Sequence, residues 1–375
     1  MRIAIISTSQ IPSTTANSIQ VMKVCHAYRE LGHEVVLIVP GEKKAGWEEL
    51  SKIFGIKIEF SIKYIKTFKL FRRYDFFILS GFVLLFNSFQ LVHTWLPQVA
   101  LISGLRRIPY IIELHGLPTG KLGPWFHKKL FFSNHKKRFL IITNALKLLY
   151  ENKFQFSFNP TDVVIAPNGV SLEPYYKNKK VMELRSNLGL ANQFIAVYTG
   201  HLYQGRGMAL LIELAKSLPN IQFIWVGGRV EDVDYWRDLS EKLELRNLTL
   251  TGFVNNEEIP AYQLLADVLL MPYENTIAGS SGGNSVDFCS PMKMFEYMAA
   301  GKPIISSDLP IIHEILNEKN AIFCSFDDVN QWVKAIEKLK ANSEFGQNIG
   351  NIAKKDVEQY TWIERTKNSL NGFIQ

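Results

Sequence analysis

The feature that most constrains the fold of this chain is a regular alternation of short apolar runs with helical segments. Residues 2–7, 34–39, 91–93, 109–114 and 140–143 are apolar runs of strand length, and the segments between them have helical spacing or helix-ending glycines. This alternation predicts a parallel sheet with helices on both faces. A hydrophobic content of 47% and a charged content of 21% exclude a disordered chain and a coiled coil.

The alternation is interrupted once, at the turn signal Pro167-Asn168-Gly169, and then begins again. Further strands are predicted at 194–199, 221–226, 248–251, 268–271 and 304–306. Because the chain has 375 residues, two doubly wound domains fit its length. We predict these domains at 1–165 and 166–357, with the short loop between them acting as a hinge over a cleft. A C-terminal helix at about 358–375 is a candidate to pack back on the first domain.

The cysteines and the apolar segments bear on the cellular compartment. Cys25, Cys289 and Cys324 are far apart and odd in number, so a disulfide framework is not expected and a cytoplasmic protein is predicted. A signal peptide is not expected, because residues 1–8 enter an apolar strand-like run without a basic n-region or a small-residue cleavage site. Residues 76–105 carry no charge, but polar residues interrupt them after position 86. A buried helix and a buried strand are therefore favoured over a membrane span of about 20 apolar residues.

The net positive charge is concentrated in the first half of the chain. Residues 1–170 contain 22 Lys and Arg against 10 Asp and Glu, and the remainder contains 20 against 25. Two stretches, 60–73 and 125–138, interleave basic and aromatic side chains, which suits an anionic membrane surface. A solvated helix face is the plainer alternative, and nucleic acid would accept the same charges. The basic residues of the first stretch are Lys63, Lys66, Lys69, Arg72 and Arg73.

Loops that follow strands are candidate sites, because ligands of parallel sheets bind at the carboxyl ends of strands. Residues 198–207 combine a strand end, a glycine turn and a helix start at Met208. Helix amides attract anions, and Arg206 offers a fork for phosphate oxygens. A tight turn with a solvated arginine is the alternative. His115 follows another apolar strand, where it could bond a sugar or phosphate or be satisfied by backbone, and His93 has a weaker claim.

Residues 290–303 contain a second helix start. Ser290 is expected as the N-cap and Pro291 as the first helical residue. Lys293 and Glu296 are three residues apart and therefore neighbours on the helix surface. The helix amides could hold phosphate and Glu296 could accept two vicinal hydroxyls, although an ordinary surface ion pair is the alternative. Residues 278–284 form a glycine- and serine-rich loop that could fold over a ligand.

Other site motifs are missing from the sequence. No G-x-G-x-x-G follows the first strand, and neither a P-loop nor a G-x-S-x-G elbow is present. Asp232 and Asp234 match an Asp-x-Asp metal signature, but carboxylates at a helix start explain them more simply. No His and Cys cluster has metal-ligand spacing, so no metal site is predicted.

Jointly, these segments resemble the retaining glycosyltransferases of family 4, which have the GT-B fold. The resemblance covers nearly the whole chain and is strongest in residues 163–315, through segments 166–170, 198–207, 266–272, 290–303 and 307–310. Residues 16–23 resemble the family's N-terminal loop. The resemblance implies two Rossmann-like domains facing a cleft and a nucleotide-diphosphate sugar donor, with no metal and no cofactor. The acceptor it implies is a glycan or a lipid-linked precursor of cell-surface polysaccharide or glycolipid, at the inner face of the membrane.

The resemblance also implies roles for particular residues. In the family's G-R-L-x-x-x-K-G pattern, Arg206 matches the lysine that grips the diphosphate and His201 replaces the arginine. The E-x7-E motif places its second glutamate at Glu296, on the ribose hydroxyls, and its first at Phe288. Phenylalanine cannot accept a hydrogen bond, so the contact to the donor sugar is expected to be missing or moved to Asn284, Ser285 or Asp287.

The implied catalytic residues are His115, Arg206, Lys293 and Glu296. The implied donor-binding residues are Asn17, Ser18, Gly200, His201, Gly227, Phe253, Asn284, Ser285, Pro291 and Met292. A non-catalytic two-lobed binding protein and an NAD-dependent oxidoreductase stay as alternatives, although the latter lacks its dinucleotide fingerprint.

Overall fold

The computed structural model describes residues 1–68, 74–176, 180–190, 193–277 and 284–374. The chain divides into two compact units, one formed by Met1–Asn168 with Trp362–Gln375 and the other by Gly169–Thr361. Each unit contains a parallel β-sheet whose strands alternate with helices. The predicted α/β class with two doubly wound, Rossmann-like domains is therefore confirmed.

The first unit is a seven-stranded parallel sheet with its helices. The strands are β1 (Arg2–Ile6), β2 (Glu34–Pro40), β3 (Ser61–Ile65), β4 (Leu91–Thr94), β5 (Tyr110–Leu114), β6 (Lys137–Ile141) and β7 (Val163–Ile165). The helices are α1 (Ala16–Glu30), α2 (Trp47–Phe54), α3 (Tyr74–Phe86), α4 (Pro97–Leu105), α5 (Gly123–Phe131) and α6 (Asn144–Phe154).

The order of these strands in the sheet is β3-β2-β1-β4-β5-β6-β7. Ile3 of β1 lies opposite both Val35 of β2 and Leu91 of β4, and all neighbouring strands are parallel. Residues 3–6 are buried on both faces of the sheet, which explains why this strand is a continuous apolar run. The order reverses between β1 and β4, and ligand sites of such sheets lie at that switch point.

The second unit is a six-stranded parallel sheet with its helices. The strands are β8 (Phe194–Thr199), β9 (Ile221–Val226), β10 (Leu248–Gly252), β11 (Val268–Met271), β12 (Ile304–Ser307) and β13 (Ile322–Cys324). The helices are α7 (Glu173–Tyr176), α8 (Lys180–Asn187), α9 (Met208–Ser217), α10 (Val230–Lys242), α11 (Ile259–Leu265), α12 (Met292–Ala300), α13 (Val329–Ala341) and α14 (Ser343–Asp356). Short 3₁₀ turns lie at Ile312–Glu314 and Val357–Tyr360.

The order of the second sheet is β10-β9-β8-β11-β12-β13. Its switch point therefore lies between β8 and β11. One face of the sheet packs its core against α9 and α13, around the fully buried Trp225 and Trp332.

The last helix, α15 (Trp362–Leu370), belongs to the first unit and packs against α1. Buried Arg138 on β6 donates to the backbone oxygens of Ser369 and Asn371 at 3.3 and 2.6 Å. Lys137 is also buried on β6 and donates to the oxygen of Ser133. The prediction that all of residues 125–138 form a basic surface is thus wrong at Lys137 and Arg138, because backbone oxygens hold both cations inside the unit.

The uncharged segment 76–105 forms α3, β4 and α4 rather than one long helix. Helix α3 buries Phe76, Ser80 and Leu84 on one face and packs against α4. On its other face Ile78 and Phe86 are 61% and 82% exposed. The predicted buried helix is therefore buried on one side only, because α3 is an outer helix that no described residue covers. Within the described ranges, no helix is long and apolar enough to cross a membrane.

Candidate functional site

The predicted site residues of the second unit gather at its switch point. Strand β8 leads into the loop of residues 200–207, strand β11 leads into residues 272–277, and helix α12 begins at Met292. Because the carboxyl ends of β8 and β11 are adjacent, their loops meet at one edge of the sheet. Side chains from all three segments are in contact there.

Arg206 lies between two tyrosine rings in this cluster. Its guanidinium carbon is 5.0 Å from the ring centroid of Tyr203 and 5.1 Å from that of Tyr273. One guanidinium nitrogen donates to the Tyr203 hydroxyl at 2.9 Å, and the buried Nε has no partner among the described residues. The arginine is thus held in place by aromatic faces rather than by a carboxylate, and it keeps donors available for an anion.

Lys293 also lies against tyrosine rings, one of which it shares with Arg206. Its Nζ is 3.8 Å from the ring centroid of Tyr198 and 5.3 Å from that of Tyr273. Burial, followed by the positive charge of Arg206, lowers the pKa of Lys293 well below its usual 10.5, while Glu296 opposes this change. The two cations therefore repel each other in the ligand-free protein, and an anion placed between them would relieve that repulsion.

Two glycines make this arrangement sterically possible. Gly200 has a φ of +136°, and a Cβ there would lie 2.9 Å from Nζ of Lys293. Gly207 has a φ of +73°, and a Cβ there would overlap the backbone oxygen of Pro272. At Gly207 any other residue would push the loop away from the end of β11, and at Gly200 it would strain the backbone and displace the Lys293 amine.

Helix α12 starts one residue later than the sequence predicts. Pro291 is the N-cap, with extended backbone angles and no side-chain capping bond, and Met292 is the first helical residue. The first N–H groups of a helix have no intrahelical acceptor. Without a capping side chain at Pro291, the amides of Met292 and Lys293 present the positive end of the helix dipole beside the Lys293 amine.

Glu296 is held by a buried hydrogen-bonded chain. Nε2 of Gln263 donates to Glu296 Oε2 at 3.2 Å and to Thr199 Oγ1 at 3.1 Å. The Tyr175 hydroxyl donates to Gln263 Oε1 at 2.6 Å. Tyr297, the next residue of α12, accepts from the backbone N–H of Thr199 at 2.8 Å. These bonds tie α12 to β8 and fix Glu296 on the side of the helix that faces the strand end.

His201, which replaces an arginine of the family pattern, is stacked on the ring of Tyr203 with centroids 5.2 Å apart. Burial, followed by the charges of Arg206 and Lys293, lowers the pKa of His201 below its usual 6.5. At neutral pH it therefore offers a hydrogen bond and no charge. Arg229, whose guanidinium is 6.0 Å from the Tyr203 ring centroid, adds a third cation to this side of the cluster.

The start of helix α9, predicted as an anion site, has a carboxylate at its N-cap residue. The side chain of Glu274 accepts from the backbone N–H of Gly207 at 3.1 Å. A carboxylate at this N-terminus satisfies a donor and complements the helix dipole. Among the described residues, neither α9 nor α12 has a capping bond from the side chain of its N-cap residue, and Glu274 places a carboxylate beside the start of α9 alone.

The remaining predicted donor-binding residues lie around this cluster. Gly227 donates to the oxygen of Gly252 at 2.9 Å, and Phe253, the next residue, is 57% exposed. Asn284 accepts from the N–H of Ile277 at 2.9 Å, and Ser285 donates to the Ile277 oxygen at 3.1 Å. Asn284 and Ser285 thus hold the base of their loop, of which residues 278–283 lie outside the described residues.

The predicted residues of the first unit lie at the carboxyl ends of β1 and β5. His115 directly follows β5, and its Nε2 is 2.7 Å from Oε2 of the buried Glu113. Asn17 donates to the hydroxyl of Ser9 at 2.8 Å, and the buried Ser18 donates to the oxygen of Gln10 at 2.9 Å. Asn17 and Ser18 therefore hold the loop after β1 against the start of α1.

Two of the weaker sequence candidates have structural partners. His93 is buried, and its ring nitrogens contact Tyr28 and Glu113 at 2.9 Å each. Asp234 forms an exposed ion pair with Arg237 at 2.9 Å. In the part of the chain that the structure describes, no three His, Cys, Asp or Glu side chains are grouped as metal ligands.

Comparison with protein families matches both units. Residues 18–174 match the family described as Glycosyltransferase Family 4, and residues 181–356 match the family described as Glycosyl transferases group 1. The chain belongs to the GT-B family 4 glycosyltransferases. Membership of this family supports glycosyl transfer as its activity.

Relatives and solved structures agree with this assignment. The alpha-galactosylglucosyldiacylglycerol synthase of Streptococcus pneumoniae is 26% identical over 270 residues, which cover 68% of this chain and 67% of that one. The alpha-monoglucosyldiacylglycerol synthase of Acholeplasma laidlawii is 24% identical over 384 residues, covering 94% and 91% of the two chains. The crystal structure of Anabaena HepE in complex with UDP-glucose covers 99% of both chains, with a TM-score of 0.73 and 15% identity. At that identity the similarity shows the fold.

Several residues of these clusters are not predicted as site residues from the sequence. Tyr198, Tyr203, Gln20 and Glu113 lie inside segments that the sequence singles out, but nothing in the spacing of those segments distinguishes them as site residues. No local pattern marks the others. The unpredicted residues are Tyr198, Tyr203, Tyr273, Gln263, Arg229, Gln20, Glu113 and Arg365.

Proposed function

We propose that this glycosyltransferase moves a sugar from a nucleotide-diphosphate donor to a lipid-linked or glycan acceptor, with retention of the anomeric configuration and without a metal ion. The transferred sugar is proposed to be a hexose or an N-acetylhexosamine. The product belongs to cell-surface polysaccharide or glycolipid synthesis.

The proposal rests on the cation pair of Arg206 and Lys293. Among the described residues neither has a carboxylate within ion-pair distance, and both lie against tyrosine rings beside the uncapped start of α12. Charges of one sign in a half-buried site are costly unless a ligand of the opposite sign binds there. A diphosphate supplies that charge, and Glu296 on the same helix is suited to accept the two ribose hydroxyls of a nucleotide.

The proposed chemistry uses these groups in the transition state. The bond from the anomeric carbon to the diphosphate oxygen breaks, and the acceptor hydroxyl bonds to that carbon on the same face. The leaving phosphate oxygen takes the proton of the acceptor hydroxyl. Arg206, Lys293 and the α12 amides stabilise the charge that develops on the diphosphate. His115 of the first unit is proposed to hydrogen-bond the donor sugar.

The proposed acceptor follows from the relatives and from a surface of the first unit. Both curated relatives described above are named as diacylglycerol glycolipid synthases. Helix α3 exposes Ile78, Phe82 and Phe86, and on α5 the Lys129 ammonium lies 5.7 Å from the centroid of the exposed Trp125 ring. Apolar side chains beside cations suit an anionic bilayer surface. We therefore propose a peripheral position on the inner face of the cytoplasmic membrane, in which nucleic acid plays no part.

The basic residues predicted in residues 60–73 add little support for a membrane-binding surface. Lys66 forms an exposed ion pair with Glu42 at 3.0 Å, which leaves it little net attraction for a bilayer. Lys63 is exposed on β3, and Lys69, Arg72 and Arg73 lie outside the described residues. The apolar face of α3 is therefore the main support for a membrane position.

A panel of nucleotides and nucleotide sugars tests the proposal. A ligand present at 100 times its dissociation constant stabilises a protein by about 2.7 kcal/mol, which a melting curve resolves. The stabilising nucleotide sugar is then incubated with lipid and glycan acceptors, and NMR reads the anomeric configuration of the product. Stabilisation without transfer to any acceptor would favour the non-catalytic binding protein. Absence of stabilisation by every nucleotide would refute the donor site.

A further inference from the structure

A closed polar cluster lies beneath His115 in the first unit. It joins the ends of β4 and β5 to helix α1 and to the C-terminal helix α15. Its members other than His115 are Gln20, Tyr28, His93, Glu113 and Arg365.

Glu113 is the centre of this cluster. Its side chain is fully buried, and Arg365 donates to both of its oxygens, to Oε1 at 2.8 Å and to Oε2 at 2.9 Å. His93 Nε2 is 2.9 Å from Oε1, and His115 Nε2 is 2.7 Å from Oε2. Burial would raise the pKa of Glu113, but the Arg365 charge and then the bonds from His115 and His93 bring it well below 4.5. An ionised carboxylate only accepts, so both histidines must donate to it.

This requirement fixes the position of each imidazole proton. Because His93 donates from Nε2, its Nδ1 accepts from the Tyr28 hydroxyl at 2.9 Å. His115 likewise carries its proton on Nε2. Gln20 Nε2, 3.1 Å from both Glu113 Oε2 and His115 Nε2, is a third donor to the same carboxylate oxygen, beside Arg365 and His115. The Nδ1 of His115 has no hydrogen bond within the described residues, and 31% of its side chain is exposed.

We propose that Glu113 and Arg365 are positioning residues, which hold His115 with its proton on Nε2 and so make Nδ1 the nitrogen that meets the substrate. The proposal rests on the proposed role of His115 as a ligand of the donor sugar. In its neutral form His115 then presents a hydrogen-bond acceptor at Nδ1, suited to a sugar hydroxyl. With the opposite tautomer it would present a donor.

Arg365 connects this arrangement to the end of the chain. Its Nε donates to the oxygen of Pro167 at 2.8 Å and its Nη2 to that of Ala166 at 3.1 Å. The guanidinium therefore links α15, the end of β5 and the segment after β7. A bidentate arginine is rigid enough to hold a carboxylate in one orientation, which an ammonium group is not.

The first test measures the tautomer of His115 in the wild-type protein. The chain has eight histidines, so ¹⁵N-histidine labelling gives few signals, and the His115→Asn variant assigns the one that disappears. We expect a protonated Nε2 and an unprotonated Nδ1 in the neutral form of His115. A protonated Nδ1 would overturn the proposal without the use of any positioning variant.

The second test removes the pair. Glu113→Leu combined with Arg365→Met replaces a buried ion pair by apolar groups of similar size, an exchange that proteins often tolerate. We expect His115 to lose its single tautomer and kcat to fall at least tenfold, with the KM for the donor within about twofold of wild type. The matched control is Glu151→Gln, which alters a hydrogen-bonded carboxylate on α6 of the same unit. It should leave both readouts unchanged.

The outcomes separate this proposal from the proposed function. If His115→Ala keeps the wild-type kcat, the role of His115 is refuted. If His115→Ala is slow but the double variant keeps both the tautomer and the kcat of wild type, the positioning role is refuted and the function stands. A melting curve of each variant shows whether it is folded. If the double variant is unfolded, the tautomer of His115 measured in the wild-type protein still tests the proposal.

Discussion

Replacement of Lys293 by methionine tests the electrostatics of the proposed donor site. In the ligand-free protein, burial and then the Arg206 charge lower the pKa of Lys293 well below 10.5. A diphosphate that binds next to the amine favours its charged form. We therefore expect the protein to take up a proton when UDP binds at a pH between the lowered pKa of Lys293 and 10.5. Methionine keeps much of the apolar length of lysine and removes this proton site.

The expected magnitude follows from the charge-assisted contacts that are lost. A hydrogen bond to a charged group contributes about 1.5–3 kcal/mol, and about 1.4 kcal/mol changes a dissociation constant tenfold. UDP should therefore bind Lys293→Met about ten- to a hundredfold more weakly. The ligand-free variant should melt no lower than wild type at neutral pH, because it no longer carries a charged amine beside Arg206.

The pH dependence of stability has a defined sign. Because folding lowers the pKa of Lys293, the unfolded chain binds this proton more tightly than the folded protein does. The resulting penalty is complete below the folded-state pKa and disappears as the pH rises from there to 10.5. Wild type should gain stability in that window, and Lys293→Met should lack this gain.

Isothermal titration of UDP in buffers of different protonation enthalpy measures both the affinity and the number of protons taken up. The matched control is Lys216→Met, which removes an exposed lysine that pairs with Glu213 on α9. Its affinity and proton uptake should equal those of wild type. Equal affinity and equal proton uptake in Lys293→Met would refute the reasoning, because the amine would then lie outside the binding site.

Arg206→Ala should lower kcat about ten- to a hundredfold, and Arg206→Lys should recover part of this loss because the charge survives without the fork. Glu296→Ala should weaken binding of the nucleotide sugar and slow turnover without unfolding the protein; wild-type kinetics in both alanine variants would move the active site elsewhere. EDTA should leave the initial rate nearly unchanged, and a loss restored by Mn²⁺ or Mg²⁺ would contradict metal independence. Ile78→Ser with Phe82→Ser and Phe86→Ser should reduce sedimentation with anionic vesicles, and unchanged sedimentation would contradict the proposed membrane face.

The fold was predictable from the sequence where a strand is buried on both faces. Strands β8 and β9 have the bounds that the apolar runs predict, Phe194–Thr199 and Ile221–Val226. Strand β6 begins three residues earlier than predicted. The prediction left out Lys137 and Arg138 because charged residues are expected at the surface rather than in a buried strand. Their acceptors, the oxygens of Ser133, Ser369 and Asn371, are set by tertiary structure that no local pattern contains.

Site residues were predictable from the sequence where a single short segment contains a recognisable motif. The resemblance and the helix-start signals indicate Arg206 and Lys293, and the structure brings the two into one cluster. The tyrosine rings that contact these two cations were not predicted, because Tyr198 and Tyr273 lie at strand ends, where core residues are expected. The pair of Glu113 and Arg365 joins residues separated by 252 positions. A charged residue on a helix is normally solvated, so nothing in the sequence of α15 marks Arg365 as a buried partner.

Buried charge is paired in the first unit and left unpaired by carboxylates in the second, and this difference indicates a different role for each unit in the proposed reaction. In the first unit Glu113 and Arg365 neutralise each other, and His93, His115 and Gln20 complete the hydrogen bonds to the Glu113 carboxylate without a ligand. Such a network gains nothing from charge on a substrate, but it holds an imidazole in one orientation. In the second unit Arg206 and Lys293 repel each other across tyrosine rings, and burial followed by this repulsion lowers the pKa of Lys293. An anionic ligand reduces this repulsion when it binds. The stabilisation is largest at the point of the reaction at which the ligand carries the most negative charge. In the proposed reaction that point is the transition state in which the diphosphate leaves, so the repulsion stored in the ligand-free site would favour departure of the leaving group over retention of the intact donor.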